Sequence, residues 1–112
     1  MPADLAAKTD RYGEMLAEAL DQAEPVTPPG TPLGEAAAET FEMAHSYLDD
    51  GRHFRAEGDP VNALASFSYG YGWLDAGVRF GLFDVPPESE LFTTEQDVEN
   101  ETAAREDPLS GE

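Results

Sequence analysis

Apolar residues recur every three or four positions in the first two thirds of this chain, the spacing that one face of an α-helix requires. The first stripe consists of Leu5, Tyr12, Leu16, Ala19 and Ala23, and the second of Ala37, Phe41, Ala44, Leu48 and Gly51. Acidic residues occupy many of the positions between them. The pattern predicts two amphipathic helices, over residues 4–23 and 35–57.

A third stretch is more apolar and carries two adjacent stripes. One stripe comprises Leu64, Phe67, Tyr71, Leu74, Val78 and Gly81, and the other Ala63, Ser66, Gly70, Trp73, Gly77 and Phe80. Together they predict a helix over residues 60–82 whose apolar surface is wide enough to face two partner helices. Asp75 and Arg79 lie four residues apart on the remaining face, where they could form an ion pair.

Only a short corner, Gly58 to Pro60, separates the second helix from the third. Gly58 suits the left-handed position after a helix, Asp59 suits an N-cap, and Pro60 suits the first helical turn. Because the connection is so short, these two helices are predicted to pack antiparallel. The predicted fold class is all-α, a compact three-helix bundle.

Charge is distributed unevenly over the 112 residues, which are enough for one small domain. The net charge is -18, from 24 acidic and 6 basic residues. Residues 84–112 hold ten acids, one base and few large apolar side chains. The sequence therefore predicts a helical domain over residues 1–83 and an acidic, mostly disordered tail over residues 84–112.

An acidic coat with a single lysine is typical of proteins that work in concentrated salt, where the Debye length falls to about 3 Å and self-repulsion is screened. The chain has no cysteine, which excludes disulfides and thiolate zinc sites. The longest uncharged run, Val61 to Leu74, is too short to span a bilayer, and the first residues lack a signal-peptide core. We therefore expect a cytoplasmic protein from a salt-rich cell, with no membrane association.

Glycines at positions 70, 72 and 77 interrupt the third helix, and each costs about 0.5–1 kcal/mol relative to alanine. Close packing of a neighbouring helix or aromatic ring would offset that cost, and a groove left open for a ligand or partner is the functional alternative. A dinucleotide or phosphate loop does not fit, because Asp75 breaks the glycine spacing and no lysine follows.

Three segments resemble an archaeal family known as domain of unknown function 357. They are "YGEMLAEAL", "EMAHSYLDDGRHF" and "EGDPVNALASFSYGYGWLDAGVRFG". The most specific part is the run GD-x-x-x-ALA-x-x-SY-x-x-GWLDAG, and the resemblance covers about residues 12–81. It implies a compact helical bundle in archaeal cytoplasm, and the acidic coat suggests a salt-loving member. It implies no activity, cofactor or partner.

Candidate chemistry is sparse. His45, Asp49 and His53 have the spacing of metal ligands on one helix face, but a charged helix reaches that spacing easily by chance. Asp50 and Asp75 lie among aromatic residues, where a carboxyl group can acquire a raised pKa and act as an acid or base. No nucleophile or phosphate loop accompanies them, so the sequence predicts no catalytic residue, cofactor or metal.

Arg52 to Arg55 form the only local basic patch, which does not favour nucleic-acid binding in so acidic a chain. The aromatic content instead favours a non-enzymatic interaction or adaptor module that binds a protein partner or itself through the second and third helices. The alternative is a small enzyme or ligand- or metal-binding domain using Asp50, Asp75 and the His45/His53 face. The candidate interaction or pocket residues are Tyr47, Asp50, Phe54, Tyr69, Tyr71, Trp73, Asp75 and Arg79.

Overall fold

Three helices pack together in the computed structural model, which describes residues 2–92. They are α1 (Pro2–Gln22), α2 (Pro32–Ala56) and α3 (Pro60–Arg79). Two short strands, β1 (Glu24–Pro25) and β2 (Phe83–Asp84), pair antiparallel with Glu24 opposite Asp84. The all-α bundle is confirmed, and the strand pair was not predicted. The tail prediction for residues 93–112 lies outside the described residues.

The corner between α2 and α3 has the predicted form. Gly58 has a φ of 78°, and the Asp59 and Gly58 N–H groups donate to the carbonyls of Phe54 and Arg55 at 2.9 and 3.1 Å. This pair of bonds is a Schellman motif. The Asp59 carboxylate then accepts from the Asn62 N–H at 3.1 Å and caps α3. The corner reverses the chain, so α2 and α3 run antiparallel.

The third helix ends three residues earlier than predicted. Gly81 has a φ of 82°, and the Leu82 and Gly81 N–H groups donate to the carbonyls of Gly77 and Val78 at 2.9 and 3.1 Å. This second Schellman motif turns the chain away from the helix axis. Gly81 is therefore the end of α3 and not part of its inner stripe, and the turn brings Phe83 back toward Gly77.

The second helix begins three residues earlier than predicted, at Pro32. Thr31 precedes it in an extended conformation, and its hydroxyl accepts from the Gly34 N–H at 3.0 Å. A threonine cap followed by proline is a favourable helix start. The apolar periodicity predicted a start at residue 35, because it does not include the cap and proline at positions 31–32.

The core lies on both sides of α3, which packs on α1 and on α2 as its width predicted. Phe67 is 3% exposed, and its ring lies against Gly13 of α1 and Gly51 of α2. A methyl group on Gly13 would come within 2.9 Å of that ring, and one on Gly51 would overlap it. The two glycines therefore let a single ring on α3 pack against both other helices.

Residues after β2 also lie against the bundle. Phe92 is buried with its ring centroid 6.4 Å from that of Tyr71, and the Tyr71 hydroxyl donates to the Leu91 carbonyl. The Ser89 hydroxyl donates to the Gln22 side chain at 2.7 Å. The described part of the segment expected to be tail thus covers the bundle near α1 and α3, and the domain division at residue 84 stays a prediction.

Candidate functional site

A groove of about 590 Å³ runs along the outward face of α3. Its lining residues are Ser68, Tyr69, Gly72, Trp73 and Ala76. None of them carries a charge, although the chain as a whole has a net charge of -18. The groove is therefore an uncharged strip on an acidic protein.

Helical spacing produces the shape of this face. Tyr69, Trp73 and Phe80 follow one another at intervals of four and seven residues, so their rings form a ridge along one side. Their side chains are 66%, 41% and 78% exposed. Small residues at intervals of four form a furrow beside the ridge: Ser68, Gly72 and Ala76. Ridge and furrow together are called the α3 groove below.

Gly72 differs from the other glycines inside α3. A Cβ atom added at Gly72 would meet no heavy atom within 4 Å. At Gly70 it would lie 2.9 Å from both Leu16 and Tyr47, and at Gly77 it would lie 2.6 Å from the Phe83 ring. Close packing therefore explains the glycines at 70 and 77, whereas no contact among the described residues explains Gly72.

The rim of the groove on the α2 side is fixed by a ring contact. Tyr47 is half-buried, and its ring stacks on that of Tyr69 with centroids 5.4 Å apart and planes 23° from parallel. The close approach of α2 to Gly70 holds Tyr47 in place. Three of the predicted site residues, Tyr47, Tyr69 and Trp73, are thus brought to one surface.

Tyr71 lies away from that surface, on the side of α3 that faces α1, and Asp75 is not among the residues that line the groove. Burial raises the pKa of Tyr71 to about 12, and the charges of Asp75 and Glu18 add to the rise. A neutral phenol with this environment and a hydrogen bond to Leu91 is a packing group of the bundle. Its hydroxyl helps to hold the 85–92 segment.

Asp50, Phe54 and Arg79 are not gathered with the other candidates. Asp50 is exposed on α2 next to Gly51, and Gly51 contacts the Phe67 ring of α3. Asp75 lies eight residues after Phe67, which is roughly 12 Å along α3 at 1.5 Å per residue. Phe54 packs against the core with its ring 5.9 Å from His53, and Arg79 is exposed at the end of α3. Neither described depression is lined by Asp50, Asp75 or Tyr71.

The two histidines form separate pairs along α2. His45 Nδ1 lies 3.4 Å from an Asp49 oxygen, and His53 Nε2 lies 3.2 Å from a Glu57 oxygen. Across the described residues, no three histidine, aspartate or glutamate side chains converge in a way that could hold a metal ion. The geometry thus offers the histidine face no third ligand.

A second depression, of about 570 Å³, lies between α1 and the end of α2. Its lining residues are Asp10, Gly13, Glu14, Arg52, Arg55, Ala56 and Phe67. Arg55 donates to both Asp10 oxygens, at 2.7 and 3.3 Å, and this hydrogen bond and charge raise the pKa of the guanidinium. The basic patch read from the sequence therefore faces acidic residues of α1, which only the tertiary packing could reveal.

The sequence stripes gave Trp73 and Phe80 inward positions, yet both side chains are exposed. The spacing predicted a wide apolar surface on α3, but it did not show which part of that surface α1 and α2 leave uncovered. Ser68, Gly72 and Ala76 were not singled out as lining residues, because small side chains carry little pattern of their own.

No helix in the described part of the chain is long and apolar enough to cross a membrane. One family model matches residues 11–83, and its description is "Protein of unknown function (DUF357)". No curated protein and no solved structure matches the chain.

Proposed function

This chain belongs to the DUF357 family of proteins of unknown function, and from that premise we propose that it is a non-enzymatic protein-interaction module whose binding surface is the α3 groove. The observation that carries the proposal is the exposure of Tyr69, Trp73 and Phe80 along one side of α3, beside a groove whose lining residues are all uncharged. Aromatic residues on a contiguous exposed patch are typical of protein interfaces and are enriched among the residues that dominate binding energy.

The magnitude of the hydrophobic effect supports this reading. Burying one of these rings stabilises a complex by about 1.5–3 kcal/mol before the costs of association. Leaving three of them in water, with Gly72 open beside them, forgoes that energy in the isolated chain. A partner that covers the α3 groove would recover it.

The enzyme or ligand-binding alternative has less support. Its residues line neither of the two described depressions, and Asp50 lies on α2 while Tyr71 faces α1. Its histidines are engaged with Asp49 and Glu57 on a solvent-exposed face. The α3 groove itself offers no acid, base or nucleophile other than hydroxyl groups.

We further propose that the protein works in the salt-rich cytoplasm of an archaeon. The support is the net charge of -18 and the single lysine. Under this proposal the helical circular dichroism signal rises with salt, because screening removes the self-repulsion that opens the bundle. Full helicity without added salt would contradict it.

Site-specific photo-crosslinking in cells of a salt-adapted host tests the interaction proposal. A crosslinking residue at position 76 lies in the α3 groove, and one at position 38 lies exposed on α2 outside it. We expect a discrete crosslinked protein from position 76 and none from position 38. Equal, diffuse labelling from both positions would remove the support for a docking surface.

A further inference from the structure

We propose that the occupant of the α3 groove is a second copy of this chain, paired across a two-fold axis and driven together by salt. This inference rests on the proposed function, since it names the partner of the same surface. Four features of the described residues lead to it: shape, charge, the open glycine and the area of exposed aromatic surface.

The shape of the groove is self-complementary. In a two-fold pair the same patch meets itself, so the patch must supply both a projection and the recess that receives it. The α3 groove has both, because the Trp73 ring projects beside the furrow at Gly72. A copy turned about the axis can place its Trp73 ring over the other copy's Gly72.

The charge distribution allows such a contact at this face. Between Pro60 and Arg79 the only charged residues are Asp75 and Arg79, which cancel, whereas α2 alone carries five acids and two arginines. In a two-fold contact the same patch meets itself, so a face crowded with acids would repel its copy, whereas this face carries almost no net charge. A groove built for a basic partner would instead be expected to carry acids among its lining residues.

Gly72 supports close packing of another molecule against α3. The helix tolerates a glycine here without any contact from the described residues, and close approach of a bulky group from outside gives it a structural reason. Gly70 is an example of such packing within the bundle, because Leu16 and Tyr47 fill the space that a side chain at position 70 would take.

The exposed area is sufficient for a modest dimer. Aromatic side chains offer roughly 150–250 Å² each, and the three ridge rings are 66%, 41% and 78% exposed. The rings of two copies therefore contribute roughly 600–900 Å², and the furrow brings the total near the ~1,000 Å² at which specific interfaces begin.

Salt gives this dimer a distinctive signature. Two copies at a net charge of -18 repel each other at low salt, and the repulsion is screened as the Debye length shrinks to about 3 Å near 1 M. Association through an uncharged groove therefore strengthens as salt rises. Binding of a basic partner would weaken under the same change.

The experiment uses the full chain in sedimentation equilibrium at about 0.1 M and about 2 M potassium chloride, conditions that bracket the screening range. We expect the dimer dissociation constant to fall at least about tenfold between them. Trp73 is the only tryptophan in the chain. Its emission should therefore shift to shorter wavelength with protein concentration at high salt, as its ring leaves water.

Two matched variants locate the contact. Ser68→Glu places an acid in the furrow, and Ala38→Glu makes the same change in charge at an exposed position of α2. At high salt S68E should raise the dissociation constant at least about tenfold, since an unpaired carboxylate would be buried in an uncharged contact, while A38E stays within about twofold of the unchanged chain. Circular dichroism of both variants checks that the helices are retained, and Gly72→Leu, which fills the furrow, repeats the test without a charge.

Each other outcome overturns the inference. A dimer that S68E and G72L leave intact would place the contact on another face. A chain that stays monomeric at both salts, while position 76 crosslinks to a different protein, would make the partner heterologous and leave the proposed function standing. A monomer with no crosslink from position 76 would remove both.

Discussion

The two faces of α3 are made of the same materials, aromatic rings and glycines, arranged to opposite effect. On the inward face Phe67 is 3% exposed, and the space beside Gly70 is filled by Leu16 and Tyr47. On the outward face Phe80 is 78% exposed, and no other side chain in the described part of the protein comes within 4 Å of where a Cβ atom of residue 72 would stand. The inward face is packed against other helices of the bundle. The outward face has the aromatic rings and the glycine of an interface but is exposed.

This difference bears on how glycines inside helices are interpreted. A glycine costs about 1 kcal/mol relative to alanine wherever it stands in a helix interior. On the inward face that cost is offset by the close packing of α2 against Gly70 and of the Phe83 ring against Gly77. On the outward face no side chain among residues 2–92 packs against Gly72, which is why this glycine directs attention to a partner.

The largest expected difference in the free energy of unfolding is between alanine variants of two phenylalanines, Phe67 and Phe80. Phe67→Ala removes the ring that packs against Gly13 and Gly51, and large-to-small changes of this kind destabilise by about 3–5 kcal/mol. Phe80→Ala removes an exposed ring and should change the free energy of unfolding by less than about 0.5 kcal/mol in the monomer. Chemical denaturation of both variants at low protein concentration measures the difference. Equal losses would mean that Phe80 packs inward and that the two faces are not distinct.

A second pair compares two glycines two residues apart. Gly70→Ala forces a methyl group to within 2.9 Å of Leu16 and Tyr47 and 3.0 Å of the Ala44 carbonyl, and overpacking of this kind costs about 1–3 kcal/mol. Gly72→Ala meets open space and should stabilise the monomer by about 0.5–1 kcal/mol through helix propensity.

Thermal unfolding of the two variants gives opposite shifts in Tm if this geometry holds. A loss of stability in G72A would show that the outward face is packed within the chain. A gain in G70A would show that α2 and α3 are farther apart than the structure places them.

The smallest effect concerns two tyrosines and appears only at alkaline pH. The pKa of Tyr71 is raised to about 12 in the folded chain, chiefly by burial, against about 10 in the unfolded chain. Below pH 10 both states keep the proton, so stability is unaffected; between pH 10 and about 12 the unfolded state loses it first, and stability falls.

Tyr71→Phe should therefore flatten the decline in stability over that pH window. It should also lose about 1 kcal/mol at neutral pH with the hydrogen bond to Leu91. Tyr69→Phe removes the same hydroxyl from the outward face and serves as the control. If it flattens the decline as much as Y71F does, the assignment of the alkaline effect to Tyr71 is wrong.

Local signals in the sequence predicted much of the fold correctly. The apolar spacing located three helices, and the corner at Gly58, Asp59 and Pro60 has the predicted turn, cap and helix start, because each of these depends on residues within one turn of the chain. The predicted helix boundaries failed where a local motif was overlooked: Gly81 ends α3 as Gly58 ends α2, and Thr31 begins α2 before the residue that the periodicity indicated.

The structure brings together only some of the residues that the sequence named as candidates. Tyr69 and Trp73 were named from the sequence and lie together with Tyr47, whereas Asp50, Tyr71 and Asp75 lie elsewhere. Periodicity identifies which residues share a helix face, but it does not say which of two apolar faces a neighbouring helix covers. That choice depends on contacts between residues far apart in the chain.

By itself the sequence determined the helix pattern, the acidic surface and the width of the apolar surface on α3, since these follow from residue order and charge. Only the tertiary structure decided that α1 and α2 cover one part of that surface and leave Tyr69, Gly72 and Trp73 open. The physical reason is space: the close approaches at Gly13, Gly51 and Gly70 fix where the helices meet, and the remaining strip of α3 lies beyond their reach.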